Sequence, residues 1–125
     1  MLVSLSCSVL AYDTFNDHVL KGGVGNYGYN KRYFYIASSA SGYTTYINYA
    51  MNDWIYTTSR LGITTPISWR RTYTQSSSVM DFHVTSRYDT GIFAATTFWR
   101  YSTQYNPYYS NWGWGKIEIE TDLNS

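Results

Sequence analysis

Apolar residues in this chain fall into short alternating runs, separated by clusters of Gly, Ser and Asn. Alternation with a period of two is typical of a strand that buries one face. In "RYFYIAS", for example, Phe34 and Ile36 face one way, and Tyr33 and Tyr35 face the other. We therefore predict five strands, within residues 32–38, 65–72, 79–86, 91–100 and 116–120.

One stretch, "SASGYTTYINYAMNDWIYTTSRLG", has a helical period instead. Six of its residues recur at intervals of three and four, which predicts an amphipathic helix. Its predicted buried face consists of Tyr43, Ile47, Ala50, Met51, Trp54 and Thr58. Ser41 is the predicted N-cap and Gly62 the predicted stop. A helix between the first two strands permits a parallel crossover. The predicted fold class is α/β (α+β): a five-stranded twisted mixed sheet with one long helix after the first strand.

A single helix covers only one face of such a sheet, so we expect the other face to be bare and lined by aromatic side chains. The last strand, "KIEIE", places Ile117 and Ile119 on one face. Lys116, Glu118 and Glu120 lie on the other, which we expect to be wet.

A chain of 125 residues is long enough for one domain with a single core, but not for two. Residues 1–11 form a short apolar run that ends in Val9-Leu10-Ala11, which is typical of the end of a secretory signal; the alternative is an ordinary N-terminal strand. We predict a partial signal peptide over 1–11, a lead-in loop over 12–31 and a single domain over 32–125. Cys7 lies within the signal, so the predicted mature, secreted bacterial protein has no disulfide.

Composition limits the classes of partner that we expect the chain to bind. Net charge is +1 and only 14% of residues are charged, which gives no electrostatic footprint for nucleic acid. The N-terminal apolar run is too short to span a membrane, so we expect no membrane partner. Fifteen Tyr and five Trp are present, many in residues 101–114, "YSTQYNPYYSNWGW", called the aromatic loop below. Its rings could stack on sugars, or could simply close over the core.

Two histidines, His18 and His83, are the only ones in the chain. Asp13 and Asp17 beside His18 could hold a divalent ion or be solvated, and no spacing typical of a zinc site is present. "GVGNYG" matches the G-x-G-x-x-G pattern of dinucleotide-binding loops, but that site requires a helix after the loop, and a predicted strand follows here. The sequence contains no recognisable catalytic constellation.

The order of segments resembles the N-terminal half of the metzincin metalloproteases, particularly the matrixin-like secreted enzymes of Gram-positive bacteria. The resemblance covers about residues 24–125, and its carriers are "RYFYIASSASGYTTYINYAMNDWIYTT", "TTPISWRR", "SSVMDFHV", "GIFAATTFW" and "NWGWGKIEIETDLNS". In that family the long helix has an A-x-x-x-W core, here Ala50 to Trp54. A G-x-x-A-x-A strand follows, and a W-x-x-G-x-I-x-x strand precedes the active-site helix.

The resemblance implies a zinc endopeptidase whose H-E-x-x-H-x-x-G-x-x-H segment, after the last strand, binds zinc and activates water. The sequence stops at Ser125, before that helix, and neither His18 nor His83 matches a ligand. We therefore expect zinc in the intact protein, none in this chain, and no activity from this chain alone. The helix beyond Ser125 is expected to cover the bare face of the sheet.

The resemblance also implies where a peptide or protein substrate binds. The family's G-x-x-A-x-A strand is an antiparallel edge along which substrate bonds main chain to main chain. The matching contacts are Phe93, Ala94, Ala95 and Thr96, with the register open by one residue because "AAT" stands where "A-x-A" is common. Two alternatives remain: a complete, monomeric secreted module whose aromatic surface binds glycan or peptide, and a structural surface protein.

Overall fold

The computed structural model describes residues 15–23, 32–56, 62, 67–86 and 91–121. In chain order, the strands are β1 (Arg32–Ile36), β2 (Trp69–Thr72), β3 (Met80–Thr85), β4 (Ala94–Arg100), β5 (Thr103–Tyr105) and β6 (Trp114–Glu120). Between β1 and β2 lie a 3₁₀ helix (Ser38–Tyr43) and the helix α1 (Thr44–Ile55), and a 3₁₀ turn (Gln75–Ser77) precedes β3. The α+β class with a mixed sheet and one α-helix is confirmed for these residues.

All six strands join one sheet in the order β2-β1-β3-β6-β4-β5, so the predicted number of five strands is wrong. β1 is parallel to β2 and β3, β3 is parallel to β6, and β4 is antiparallel to β6 and β5. β1 and β2 pair in parallel, which the helix between them permits. The sixth strand, β5, lies within the predicted aromatic loop, and three residues are too few to show an alternating pattern.

The core lies between α1 and the face of the sheet beneath it, which we call the helix side. Phe34 and Ile36 of β1 and Trp69 of β2 meet Ile47 and Met51 of α1, and all five side chains are buried. Alternate residues of β3 supply apolar side chains that pack against this cluster: Met80, Phe82 and Val84.

Helix α1 differs from its predicted boundaries and buried face. The chain enters through the 3₁₀ helix, so Ser41 lies inside that turn rather than at the N-cap. The α-helix ends at Ile55, well before Gly62. Ala50 and Trp54, the predicted A-x-x-x-W core, are exposed, with Trp54 62% accessible. The buried arc is centred on Met51, and both residues lie about 60–100° to one side of it.

The opposite face of the sheet, the far side, carries buried carboxylates. Asp81, Glu118 and Glu120 are only 2%, 6% and 1% exposed, so the expectation of a wet, bare face is wrong there. Asp81 accepts hydrogen bonds from the Gln75 amide and the Ser78 hydroxyl, because the 3₁₀ turn lies beside it. Burial of a carboxylate requires such partners.

Residues 15–23, the described part of the predicted lead-in loop, form turns and isolated bridges rather than a strand. They are nevertheless anchored, since the Lys21 amide donates to the Trp112 carbonyl at 2.8 Å and Leu20 packs against the core. Arg32 donates to the Lys21 carbonyl at 2.6 Å, and partial burial lowers the pKa of its guanidinium. The predicted signal peptide, 1–11, lies outside the described residues.

No helix among the described residues is long and apolar enough to cross a bilayer.

Candidate functional site

Strand β4 presents unpaired main-chain groups along part of one edge. The Glu120 amide donates to the Phe93 carbonyl at 2.9 Å, and Ala95 pairs with Glu118 in the same ladder. Because main-chain groups alternate in direction along a strand, the amides and carbonyls of Ala94 and Thr96 point away from β6. Within the described residues, no strand pairs with this outer side of residues 94–97, which we call the free edge.

Strand β5 limits the free edge at one end. It pairs with β4 only at Phe98, Trp99 and Arg100, so β4 is the outermost strand at residues 94–97 and an inner strand at 98–100. The expectation that the whole strand is an edge is therefore corrected. The chain leaves β5 at Asn106-Pro107, immediately beside the end of the free edge.

A cleft of about 440 Å³ lies where β5 ends. Its walls come from β4, from β5 and from the two residues after β5: Thr96, Thr97, Phe98, Gln104, Tyr105, Asn106 and Pro107. Amide and hydroxyl groups dominate this lining, and no lining residue carries a formal charge. Sequence reasoning missed the part after Gln104, although the Asn-Pro pair is a turn signal that could have indicated a chain reversal.

The four predicted contact residues do not contribute equally. Ala94 and Thr96 are exposed and offer outward main-chain groups, whereas Ala95 is half-buried and its main chain faces β6. Phe93 precedes the strand, uses its carbonyl for Glu120, and leaves its ring 71% exposed at the other end of the free edge. The register that the sequence left open therefore favours Ala94 and Thr96 for main-chain contact.

Charged side chains of β3 and β6 lie close together on the far side of the sheet. Lys116 Nζ lies 3.2 Å from a Glu118 carboxylate oxygen, and His83 Nε2 lies 3.9 Å from Asp81 Oδ2. His83 and Glu118 are register partners on adjacent strands. The two pairs lie on the neighbouring strands β6 and β3, within the polar layer of the far side.

Metal ligation has little support in this part of the chain. The described residues contain no group of three His, Cys, Asp or Glu side chains able to hold a metal ion. His18 Nδ1 lies 3.0 Å from the Phe15 carbonyl oxygen, a local turn contact. The alternative site around His18 used Asp13, which lies outside the described residues.

The aromatic loop divides into two parts. Trp99 of β4 and Trp114 stack with ring centroids 5.5 Å apart and planes inclined by 17°. Tyr108 and Tyr109 pack edge to face, 53% and 75% exposed. Part of the loop therefore packs on the sheet, and part presents rings to solvent.

No family model, curated protein or solved structure matches the chain. The resemblance to the metzincins accordingly stays a prediction.

Proposed function

We propose that this chain is the N-terminal subdomain of a secreted, matrixin-like zinc endopeptidase, and that its free edge holds an extended peptide substrate. The observation that carries the proposal is the outward main chain of Ala94 and Thr96 on an antiparallel strand. The crossover from β1 through α1 to β2 supports it as well, since the resembling enzymes place a long helix after their first strand.

A peptide antiparallel to β4 runs in the same direction as β5, and continues the line of that strand. Its N-terminal end then lies near Pro107, where the 440 Å³ cleft begins. Its C-terminal end lies near the exposed ring of Phe93. Because β5 occupies the edge from Phe98 onward, main-chain pairing is confined to residues 94–97. We expect the cleft to accept a neutral polar side chain that bonds Gln104 or Asn106.

The edge alone binds weakly. Two outward residues offer four main-chain groups, each worth about 0.5–1.5 kcal/mol net when bonded. Ordering the peptide and losing its translational freedom costs about 4 kcal/mol or more. The net gain from main-chain pairing is therefore at most about 2 kcal/mol, so we expect dissociation constants of tens of millimolar or weaker for short peptides.

Amide hydrogen exchange tests the docking geometry directly. Pools of acetylated, amidated pentapeptides would be titrated into the ¹⁵N-labelled protein and followed by NMR. We expect slower exchange at Ala94 and Thr96, and no change at Ala95, whose amide already faces Glu118. Protection at Ala95 without protection at Thr96 would contradict the proposed register.

Zinc has no fit among the described residues, so hydrolysis requires a zinc-binding segment that this part of the chain does not contain. The coding DNA should be read for about sixty codons beyond Ser125 in all three frames. The proposal expects H-E-x-x-H-x-x-G-x-x-H there. A stop codon followed by unrelated sequence would contradict the peptidase part, while leaving peptide docking to be judged by the exchange experiment.

A further inference from the structure

A second concavity, of about 480 Å³, lies at the other end of β4, away from the free edge; we call it the aromatic cavity. Trp114 and Tyr101 are its two aromatic lining residues. Polar groups from three further segments complete it: Lys21 from the lead-in, Gln75 and Ser76 from the 3₁₀ turn, and Arg100 from β4.

The Trp114 ring is held in a fixed plane. Trp99 stacks against the Trp114 ring, and Trp114 Nε1 donates a hydrogen bond to the Tyr101 carbonyl at 2.9 Å. The Arg100 guanidinium is fixed as well, since it donates to the Asn111 carbonyl at 2.6 Å and to the Ser110 hydroxyl at 3.0 Å. A site whose side chains are already ordered loses little entropy when it binds a ligand.

Tyr101 is the most informative residue of the cavity. It occupies the first position of the two-residue loop that joins β4 to β5, with φ of +54°. Glycine, asparagine or aspartate normally fills a hairpin position with positive φ, because other side chains are strained there. The Tyr101 side chain is 89% exposed, so core packing does not explain the choice. Because backbone strain is concentrated at functional sites, an exposed aromatic residue with positive φ beside a cavity is a candidate binding residue.

We propose that the aromatic cavity binds a pyranose unit of an oligosaccharide, with a preference for units that carry a carboxylate. Flat aromatic surface suits the C–H face of a sugar ring, and the Gln75 amide and Ser76 hydroxyl suit its hydroxyl groups. Lys21 and Arg100 add two positive charges, while the one lining carboxylate, Asp81, is engaged by Gln75 and Ser78. This site is independent of peptide docking at the free edge.

The first test is calorimetric titration of the whole chain with three hexasaccharides: hexagalacturonate, cellohexaose and chitohexaose. We expect millimolar or tighter binding of hexagalacturonate, at least threefold tighter than that of the two neutral sugars. Binding of hexagalacturonate should weaken as salt rises, because exposed charges are screened. The absence of binding by all three sugars would overturn the proposal, and equal binding of all three would overturn the preference for a carboxylate.

The second test uses Tyr101→Gly, with Tyr109→Ala as the matched control at an exposed aromatic residue outside the cavity. Glycine adopts positive φ without strain, so Tyr101→Gly should fold with an unchanged or higher Tm. Its affinity for hexagalacturonate should nevertheless fall at least fivefold, and Tyr109→Ala should retain full affinity. Unchanged affinity in Tyr101→Gly, or an equal loss in Tyr109→Ala, would refute the assignment.

Discussion

Proline substitutions at two adjacent positions of β4 test which main-chain amides pair with β6 and which lie on the free edge. Ala95→Pro removes an amide that faces Glu118 in the β4–β6 ladder. Thr96→Pro removes an amide that points outward. Proline is tolerated in a sheet only where the missing amide would face away from a partner strand. The two variants should therefore differ sharply in stability, although the positions are neighbours.

The magnitudes follow from the ladder. Ala95→Pro loses one net hydrogen bond of about 1 kcal/mol and leaves the Glu118 carbonyl without a partner, at about 1–3 kcal/mol more. Steric conflict between the proline ring and β6 adds to this, so we expect a loss of about 3 kcal/mol or more. Thr96→Pro breaks no ladder bond and should cost about 1 kcal/mol or less, while removing one of the donors available to a peptide.

Urea unfolding followed by far-UV circular dichroism measures both free energies of unfolding, and peptide titration by NMR measures docking. Thr96→Pro should remain folded and lose peptide binding, whereas Ala95→Pro should be strongly destabilised. Thr96→Val, which preserves the amide and the side-chain volume, serves as the control and should still bind. A destabilisation of Thr96→Pro equal to that of Ala95→Pro would refute the inferred direction of the main chain.

Two further predictions concern stability. Met51→Ala should lower the free energy of unfolding by about 2–4 kcal/mol because Met51 is buried against the sheet, whereas Trp54→Ala should lower it by about 0.5 kcal/mol or less. Urea titration measures both changes, and a larger loss in Trp54→Ala than in Met51→Ala would contradict the position of α1. Asp81→Ala should lower the free energy of unfolding by about 2–4 kcal/mol, because it removes two hydrogen bonds to a carboxylate, from the Gln75 amide and the Ser78 hydroxyl; thermal unfolding measures the change. The double variant with Ser78→Ala should cost less than the sum of the single changes, and strict additivity would contradict the contact.

Much of the sheet could be predicted from alternation alone. The runs that contain Phe34 and Ile36, and Met80 and Phe82, face the core as the pattern indicates. A period of two reports side-chain direction reliably wherever one face is well covered. The single helix between β1 and β2 permitted the parallel pairing that the structure has.

The pattern failed where tertiary neighbours decide burial. Trp54 belongs to the apolar stripe of the sequence, but the sheet lies beneath Met51 and leaves Trp54 exposed. β5 has only three residues, and its pairing depends on a turn whose positive-φ position holds Tyr101 rather than glycine, asparagine or aspartate. At the candidate site, the resemblance implied an edge strand but could not tell which main-chain groups point outward. That direction depends on the register with β6, which is a long-range contact.

The burial of β6 bears on where the zinc-binding helix of the proposed function would pack. Glu118 and Glu120 are almost fully buried on the far side, while Ile117 and Ile119 on the helix side are only half-buried. Completing the burial of those two isoleucines would contribute about 2–3 kcal/mol. Under the proposed function, we therefore expect the zinc-binding helix to lie beside α1 on the helix side, over β6 and β4, rather than on the far side. That position adjoins Ala94 and the free edge, which is where a catalytic helix would have to lie to reach a peptide bound along β4.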